Sequence, residues 1–453
     1  KKLLEGRAGE EAESKAGAKR RVNLVIIGHV DAGKSTLMGH LLVKLGRVDR
    51  RTLRKYQKES QQMGKGSFAF AWVLDGHEEE RARGITVDVA VSHFETENRR
   101  VVLLDAPGHR DFIPNMISGA SQADAAILVV PAKAGEFESS FARGGQTKEH
   151  ATLIRSMGVR HIILAVNKMD LTNWSKDRFE AIRGEVLSYL RTLGYRPSQV
   201  SAVPVSGLLG ENLVDRKAVD LAHWYDGPTL SGAIDAIPPP PRREDNQKCL
   251  CMVVSDIFKS ETGGGGFTLA GKIEMGSIIQ KDKLLILPNC ILGTVKTILS
   301  QGQPLKVAKA GDAVEVVLRD VEEDSKNNIH VGNIVCHPHS PLSYSNEFEC
   351  KVLTLSMTVP LLAGQNIMVY SMGIGHPGYI QELVSQIDRK SGAVVRSKPR
   401  CVPQGSAAQL IIKTNQPICL DTFAARPSLG RVSLRRGCET VAFGVVMRIV
   451  KVK

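Results

Sequence analysis

The chain has 453 residues, 24% of them charged and 42% hydrophobic, with a formal net charge of +13. That length exceeds one ordinary domain, and that balance excludes disordered, fibrous and collagen-like chains. The best apolar run, Ala125–Val130, falls far short of the roughly 20 residues that a membrane-spanning helix needs, so no membrane role is expected.

Taken from the amino end, residues 1–20 are charged in both signs and carry no apolar run, so no secretion signal is expected. Lys1 stands where an initiator Met would, and further residues are expected upstream. Over 21–237 short apolar strands alternate with helical stretches, the pattern of βαβ units around a mostly parallel sheet with helices on both faces. Val22–Gly28, Val101–Asp105, Ala125–Val130, Ile162–Asn167 and Ala202–Ser206 are the predicted central strands, because near-continuous apolar runs suit strands covered on both faces. Val87, Val89 and Val91 alternate with Asp88, Ala90 and Ser92, which reads as a half-exposed edge strand. Helices are predicted over Thr36–Leu45, Gln146–Met157 and Lys176–Leu193.

The run Pro238–Pro241 cannot continue a helix and favours a stiff extended segment, so 238–246 reads as a linker. Beyond it come short Val, Ile and Leu strands punctuated by Gly, Pro and Asn, including a turn at Gly263–Gly266. That texture predicts two β-barrels, 247–340 and 341–453, joined near Ser340–Ser343. The expected fold is thus an α/β phosphate-loop domain followed by two all-β barrel domains. All eight cysteines lie between Cys249 and Cys438 at irregular spacing, which suggests reduced thiols. Cys336, His337 and His339 lack a second ligand pair at zinc spacing. From Arg389 to Lys453 thirteen Lys and Arg face only Asp421 and Glu439, a local excess of +11 that suits a phosphate-rich partner such as RNA.

Four short motifs carry the chemistry, each predicted at a strand end, where open α/β sheets bind their ligands. Gly28-His29-Val30-Asp31-Ala32-Gly33-Lys34-Ser35 fits G-x-x-x-x-G-K-[ST] after a strand and before a helix. Backbone N–H groups of His29, Val30, Asp31, Ala32, Gly33 and Thr36 can wrap phosphates, Lys34 can reach their β and γ positions, and Ser35 can ligate Mg²⁺. Asp105-Ala106-Pro107-Gly108-His109 follows: Asp105 can hold Mg²⁺, and the Gly108 N–H can meet the γ-phosphate. Asn167-Lys168-Met169-Asp170 offers an amide and a carboxylate that match guanine, with Asp170 accepting from the ring N–H and exocyclic amine. Ser206-Gly207-Leu208 supplies backbone support for the base. Within the charged stretch Glu78–Thr86, Thr86 is the expected second hydroxyl ligand to Mg²⁺, engaged only while GTP is bound. The cofactors expected are therefore GTP or GDP with Mg²⁺.

Arg83-Gly84-Ile85-Thr86 and Asp105–His109 resemble the elongation-factor class of translational GTPases, and the resemblance runs from about Arg21 to Lys451. Gly271–Glu274, Gly430–Arg435 and Ala442–Val446 look like strands of that class's second and third domains. The resemblance implies that His109 positions the attacking water, that hydrolysis is ribosome-stimulated, and that the protein works as a monomer in the cytoplasm until it meets the ribosome. Within the class, Arg110–Ile117 departs from elongation factor one alpha, which has Lys where Pro114 stands, and from release factor three. It is similar to the Hbs family of ribosome-rescue GTPases, as are Asp31–His40 and Ser206–Leu213. Lys65–Phe68 and Arg110 lean toward the elongation factor. The Hbs resemblance implies Pelota, the ribosome and ribosomal RNA as partners. An aminoacyl-tRNA carrier and a non-hydrolysing scaffold for RNA decay are the alternatives.

Overall fold

The computed structural model describes residues 19–62, 69–74, 90–107, 112–113, 116–117, 120, 123–142, 145–238, 249–259, 267–300, 302–322, 325, 327–355, 357–388, 391, 393–437 and 439–450. The expected turn at Gly263–Gly266, Val87, Val89 and three of the four linker prolines lie outside them. Described residues within Lys1–Asp105, Ala123–Ser140 and His161–Pro240 pack as one unit; those within Ala106–Gln122, Phe141–Arg160 and Pro241–Lys453 pack as another.

The first unit is built on six strands: β1 (Arg20–Gly28), β2 (Ala90–Glu95), β3 (Arg99–Asp105), β4 (Ala125–Pro131), β5 (His161–Asn167) and β6 (Val200–Pro204). Their order is β2-β3-β1-β4-β5-β6, and every neighbouring pair is parallel except the β2–β3 hairpin. All seven residues of β4 are buried, as its unbroken apolar sequence requires of a strand covered on both faces. Strand β2 sits at the sheet edge, and Val91 on it is exposed. The segment expected to be this edge strand begins three residues earlier than Ala90, outside the described residues.

The helices are α1 (Lys34–Lys44), α2 (Arg50–Gln62), α3 (Glu136–Phe141), α4 (Gln146–Met157), α5 (Lys176–Thr192), α6 (Val219–Ala222) and α7 (Leu230–Asp235). Helix α5 starts where the Ser175 hydroxyl accepts from the Arg178 N–H at 3.3 Å, and it buries Phe179, Ile182, Val186 and Leu190 along one stripe. Leu37 and Leu41 of α1 join Leu24, Ile26, Leu103 and Ile127 in the core, each side chain contributing about 1.5–3 kcal/mol by burial. That core holds the carboxyl ends of β1, β3, β5 and β6 rigid, which is where the motifs lie.

The second unit contains two closed barrels. The first has β7 (Cys251–Lys259), β8 (Phe267–Met275), β9 (Ser277–Ile279), β10 (Lys283–Leu287), β11 (Ile291–Ser300), β12 (Gln303–Leu305), β13 (Val307–Lys309), β14 (Ala313–Arg319) and β15 (Ile334–Cys336). Pairing of β10 with β11 closes the order β10-β15-β7-β8-β14-β11 into a ring. The second has β16 (Tyr344–Thr354), β17 (Asn366–Ser371), β18 (Ile374–Ile387), β19 (Val394–Ser397), β20 (Ala407–Cys419), β21 (Arg431–Arg436) and β22 (Glu439–Ile449), and it closes through β17 and β18. Closure removes the open edges that would otherwise invite another chain.

Cys251, Leu287, Cys336, Leu342 and Cys419 pack together where the barrels meet. Cys249 lies beside them, its Sγ 2.6 Å from the Ser340 Oγ and accepting from Arg426 Nη2 at 3.3 Å. The rings of His337 and His339 stack with centroids 5.0 Å apart, and His337 Nε2 sits 3.3 Å from the Ser277 carbonyl oxygen. Helix α4 also belongs to this unit and rests on β21 and β22.

Candidate functional site

Strand β1 ends at Gly28, and α1 begins at Lys34 with no side chain capping its amino end. Uncapped N–H groups at a helix start, with the helix dipole behind them, form a cradle for an anion. Gly33 makes the turn: its φ is 84°, and a Cβ there would come within 2.6 Å of Asn167 Nδ2. Asp31 also holds a left-handed φ, 62°, the kind of local strain that structures keep at ligand loops.

Lys34 is buried, and its Nζ donates to the carbonyl oxygens of Gly28 at 3.2 Å and His29 at 3.0 Å. Burial pulls its pKa below the ordinary lysine value, while the charges of Asp105 and Asp31 oppose that fall. An ammonium held in a dry loop near two carboxylates can exchange carbonyl partners for phosphate oxygens. Asp105 lies at the carboxyl end of β3, fully buried, in register with Ile26 of the adjacent β1. Ser35 and Thr36 occupy the first turn of α1, both half-buried.

Asn167 closes β5 and binds three backbone groups. Its Nδ2 donates to the Ala32 carbonyl at 2.9 Å, and its Oδ1 accepts from the N–H of Lys168 and of Gly207, each at 2.8 Å. One amide therefore stitches the phosphate loop to the loop that follows β6. The sequence reading gives Asn167 only a base-facing role. The structure adds this clasp, and one Nδ2 hydrogen remains beyond the bond to Ala32.

Lys168 adopts a left-handed φ of 63° and reaches Glu136 at 2.7 Å; Lys133 meets the same carboxylate at 3.0 Å. The bond to Lys168 is the main force holding the Glu136 carboxyl below its ordinary range. Asp170 stands half-buried in the short turn Met169–Thr172. Ser206 is buried and its Oγ accepts from the Leu209 N–H at 3.2 Å, while Leu208 is exposed. The structure thus brings together three of the four strand-end motifs with Asp105. Gly108, His109 and Thr86 lie outside the described residues.

The family model for the elongation factor Tu GTP binding domain matches residues 19–259, and the one for GTP-eEF1A C-terminal domain-like segments matches 347–447. The chain belongs to the translational GTPases of this family. Among its relatives is protein HBS1 of Drosophila melanogaster, 43% identical over 96% of this chain, which spans 64% of that protein's length. Elongation factor 1-alpha of Thermofilum pendens is 38% identical, with 96% of this chain matched to 98% of that one. The Ski7 GTPase-like domain of S. cerevisiae, solved with GTP bound, shares the fold with a TM-score of 0.78 at 18% identity, covering 96% of this chain and 98% of that domain. The matched GTP-binding domain spans all of the clasped loops. Glu136 carries no motif signature in the sequence, and His40 enters it only as the last residue of the stretch that resembles the Hbs family.

Proposed function

We propose that this GTPase serves ribosome rescue: carrying GTP, it delivers a Pelota-type protein to stalled ribosomes in no-go and non-stop mRNA quality control. The similarity to protein HBS1, 43% against 38% for elongation factor 1-alpha, supports this reading. The Pro114-bearing segment Arg110–Ile117 supports it from the sequence. The +11 excess over 389–453 supplies the positive field that ribosomal RNA attracts. The work is placed in the cytoplasm, where stalled ribosomes are found.

The chemistry is in-line attack of water on the γ-phosphate. Lys34 binds and neutralises the phosphate oxygens, and the loop N–H groups stabilise charge as it shifts. His109 orients the attacking water. Magnesium fits the donors available: the Ser35 hydroxyl and the buried Asp105 carboxylate would hold it as hard oxygen ligands, with Thr86 as the expected third. When bound, magnesium would supply positive charge to offset that of the phosphates.

GTP turnover measured alone, with ribosomes, and with ribosomes plus Pelota tests the proposal. His109→Ala is expected to keep GTP binding and lose the ribosome-stimulated rate. Near-normal stimulated turnover in that variant rejects the assigned role. Binding of charged tRNA in place of Pelota points instead to the elongation-factor reading.

A further inference from the structure

Helix α1 carries a histidine that neither phosphate nor base chemistry calls for. His40 lies six residues beyond Lys34, and its Nδ1 is 2.9 Å from the Gly207 carbonyl oxygen. A carbonyl only accepts, so Nδ1 bears the proton and donates. The ring also lies flat on Phe70, with centroids 3.9 Å apart and planes within 5°. The surroundings leave no slack. A Cβ at Gly39 would come 1.9 Å from the Phe70 carbonyl oxygen, and one at Gly210 would come 2.5 Å from the His40 ring. Burial lowers the His40 pKa, the Gly207 bond opposes that, and Lys44 adds to it. The ring is therefore neutral near pH 7.

The contacts continue inward. Gly207 donates its N–H to Asn167 Oδ1 at 2.8 Å, and Asn167 Nδ2 donates to the Ala32 carbonyl at 2.9 Å. An unbroken series of contacts thus runs from Phe70 through His40, Gly207 and Asn167 to the phosphate loop. We propose that His40 is a positioning residue for the guanine nucleotide: it holds the purine loop by the Gly207 carbonyl and, through Phe70, couples that loop to the turn at 69–74. The inference rests on the guanine-nucleotide reading of the site. It adds a residue and a coupling which that reading does not contain.

Three variants separate the two contacts. His40→Phe keeps a ring over Phe70 and drops the donor; His40→Asn keeps an N–H donor and drops the ring; Phe70→Ala removes only the stack. Release of a fluorescent GDP analogue is followed by stopped flow on the whole chain, with thermal melting of each variant alongside. His40→Phe is expected to release GDP about tenfold faster, the effect of one lost neutral hydrogen bond to a buried carbonyl. His40→Asn and Phe70→Ala should both release it about threefold faster, the effect of one aromatic stack. GDP should slow amide exchange at Val73 and Leu74, which donate to Phe70 and Ala71, in the unaltered chain and not in His40→Asn.

Wild-type release by His40→Phe at an unchanged melting temperature overturns the proposal. Should His40→Phe melt early, His40→Asn decides: release as fast as in His40→Phe, from a normally melting protein, overturns it too. Equal exchange protection in His40→Asn overturns the coupling. An unaltered chain that binds no GDP analogue sinks the guanine reading itself, a result distinct from all of these.

Discussion

Replacing Asn167 by alanine removes three hydrogen bonds at once, those to Ala32, Lys168 and Gly207. The Ala32 carbonyl and the Gly207 N–H are then left buried without a partner. A buried unsatisfied group costs about 1–3 kcal/mol, so the pair costs about 2–6 kcal/mol. Whole-domain stability is about 5–15 kcal/mol, which makes this a large fraction of the total. A residue that merely read the base would cost the nucleotide-free protein nothing. Asp170 is the control: half-buried at its turn, it makes no side-chain hydrogen bond among the described residues. Asp170→Asn should relax guanine selectivity toward xanthine and leave the apo protein as stable as before. Urea unfolding followed by tryptophan fluorescence reads the right unit, because all three tryptophans, Trp72, Trp174 and Trp224, lie in the first one. An apo Asn167→Ala protein with an unchanged urea midpoint would refute the clasp.

Gly33→Ala is expected to abolish detectable GDP binding by titration, since a left-handed φ and a Cβ at 2.6 Å from Asn167 Nδ2 both oppose it; binding at wild-type affinity contradicts the loop geometry. The Asp215 carboxyl, hydrogen-bonded first by Lys44 and then by Lys217, is held down to about 2 from an ordinary 3.8. A depressed carboxyl stabilises above its unfolded value and loses that contribution as pH falls toward the folded one. Asp215→Asn should therefore lower the urea midpoint slightly at pH 7, by the ~0–1 kcal/mol of an exposed pair, and the gap should narrow below pH 3.8 toward about 2. A pH-independent gap argues against the ion pair. Burial raises the Cys249 thiol, but Ser340 and Arg426 outweigh it and lower its pKa, whereas burial drives Cys251 and Cys350 up and Cys419 up to about 12. Iodoacetamide at pH 7 should modify Cys249 ahead of those three, and Arg426→Ala should slow it; equal rates by mass spectrometry refute this.

Local chemistry made much of this molecule legible before any folding. Apolar runs long enough for buried strands mark β1, β3, β4 and β5, because a strand covered on both faces admits few polar residues. Helix α4 spans the predicted Gln146–Met157, and the phosphate loop stands where its motif requires a strand end and a helix start. Helix α2 escaped that reading because its sequence, RRTLRKYQKESQQ, is too polar to show a broad apolar stripe. The contact of α4 with β21 and β22 has no local signature either. The clasp of Asn167 spans 135 residues to Ala32 and 40 to Gly207, and the bond from His40 to Gly207 spans 167. Such pairings exist only once the parallel sheet has brought its strand ends side by side. Residue type and spacing thus set the ligand class and the elements that bear it, whereas folding alone decided which side chains hold those elements to one another.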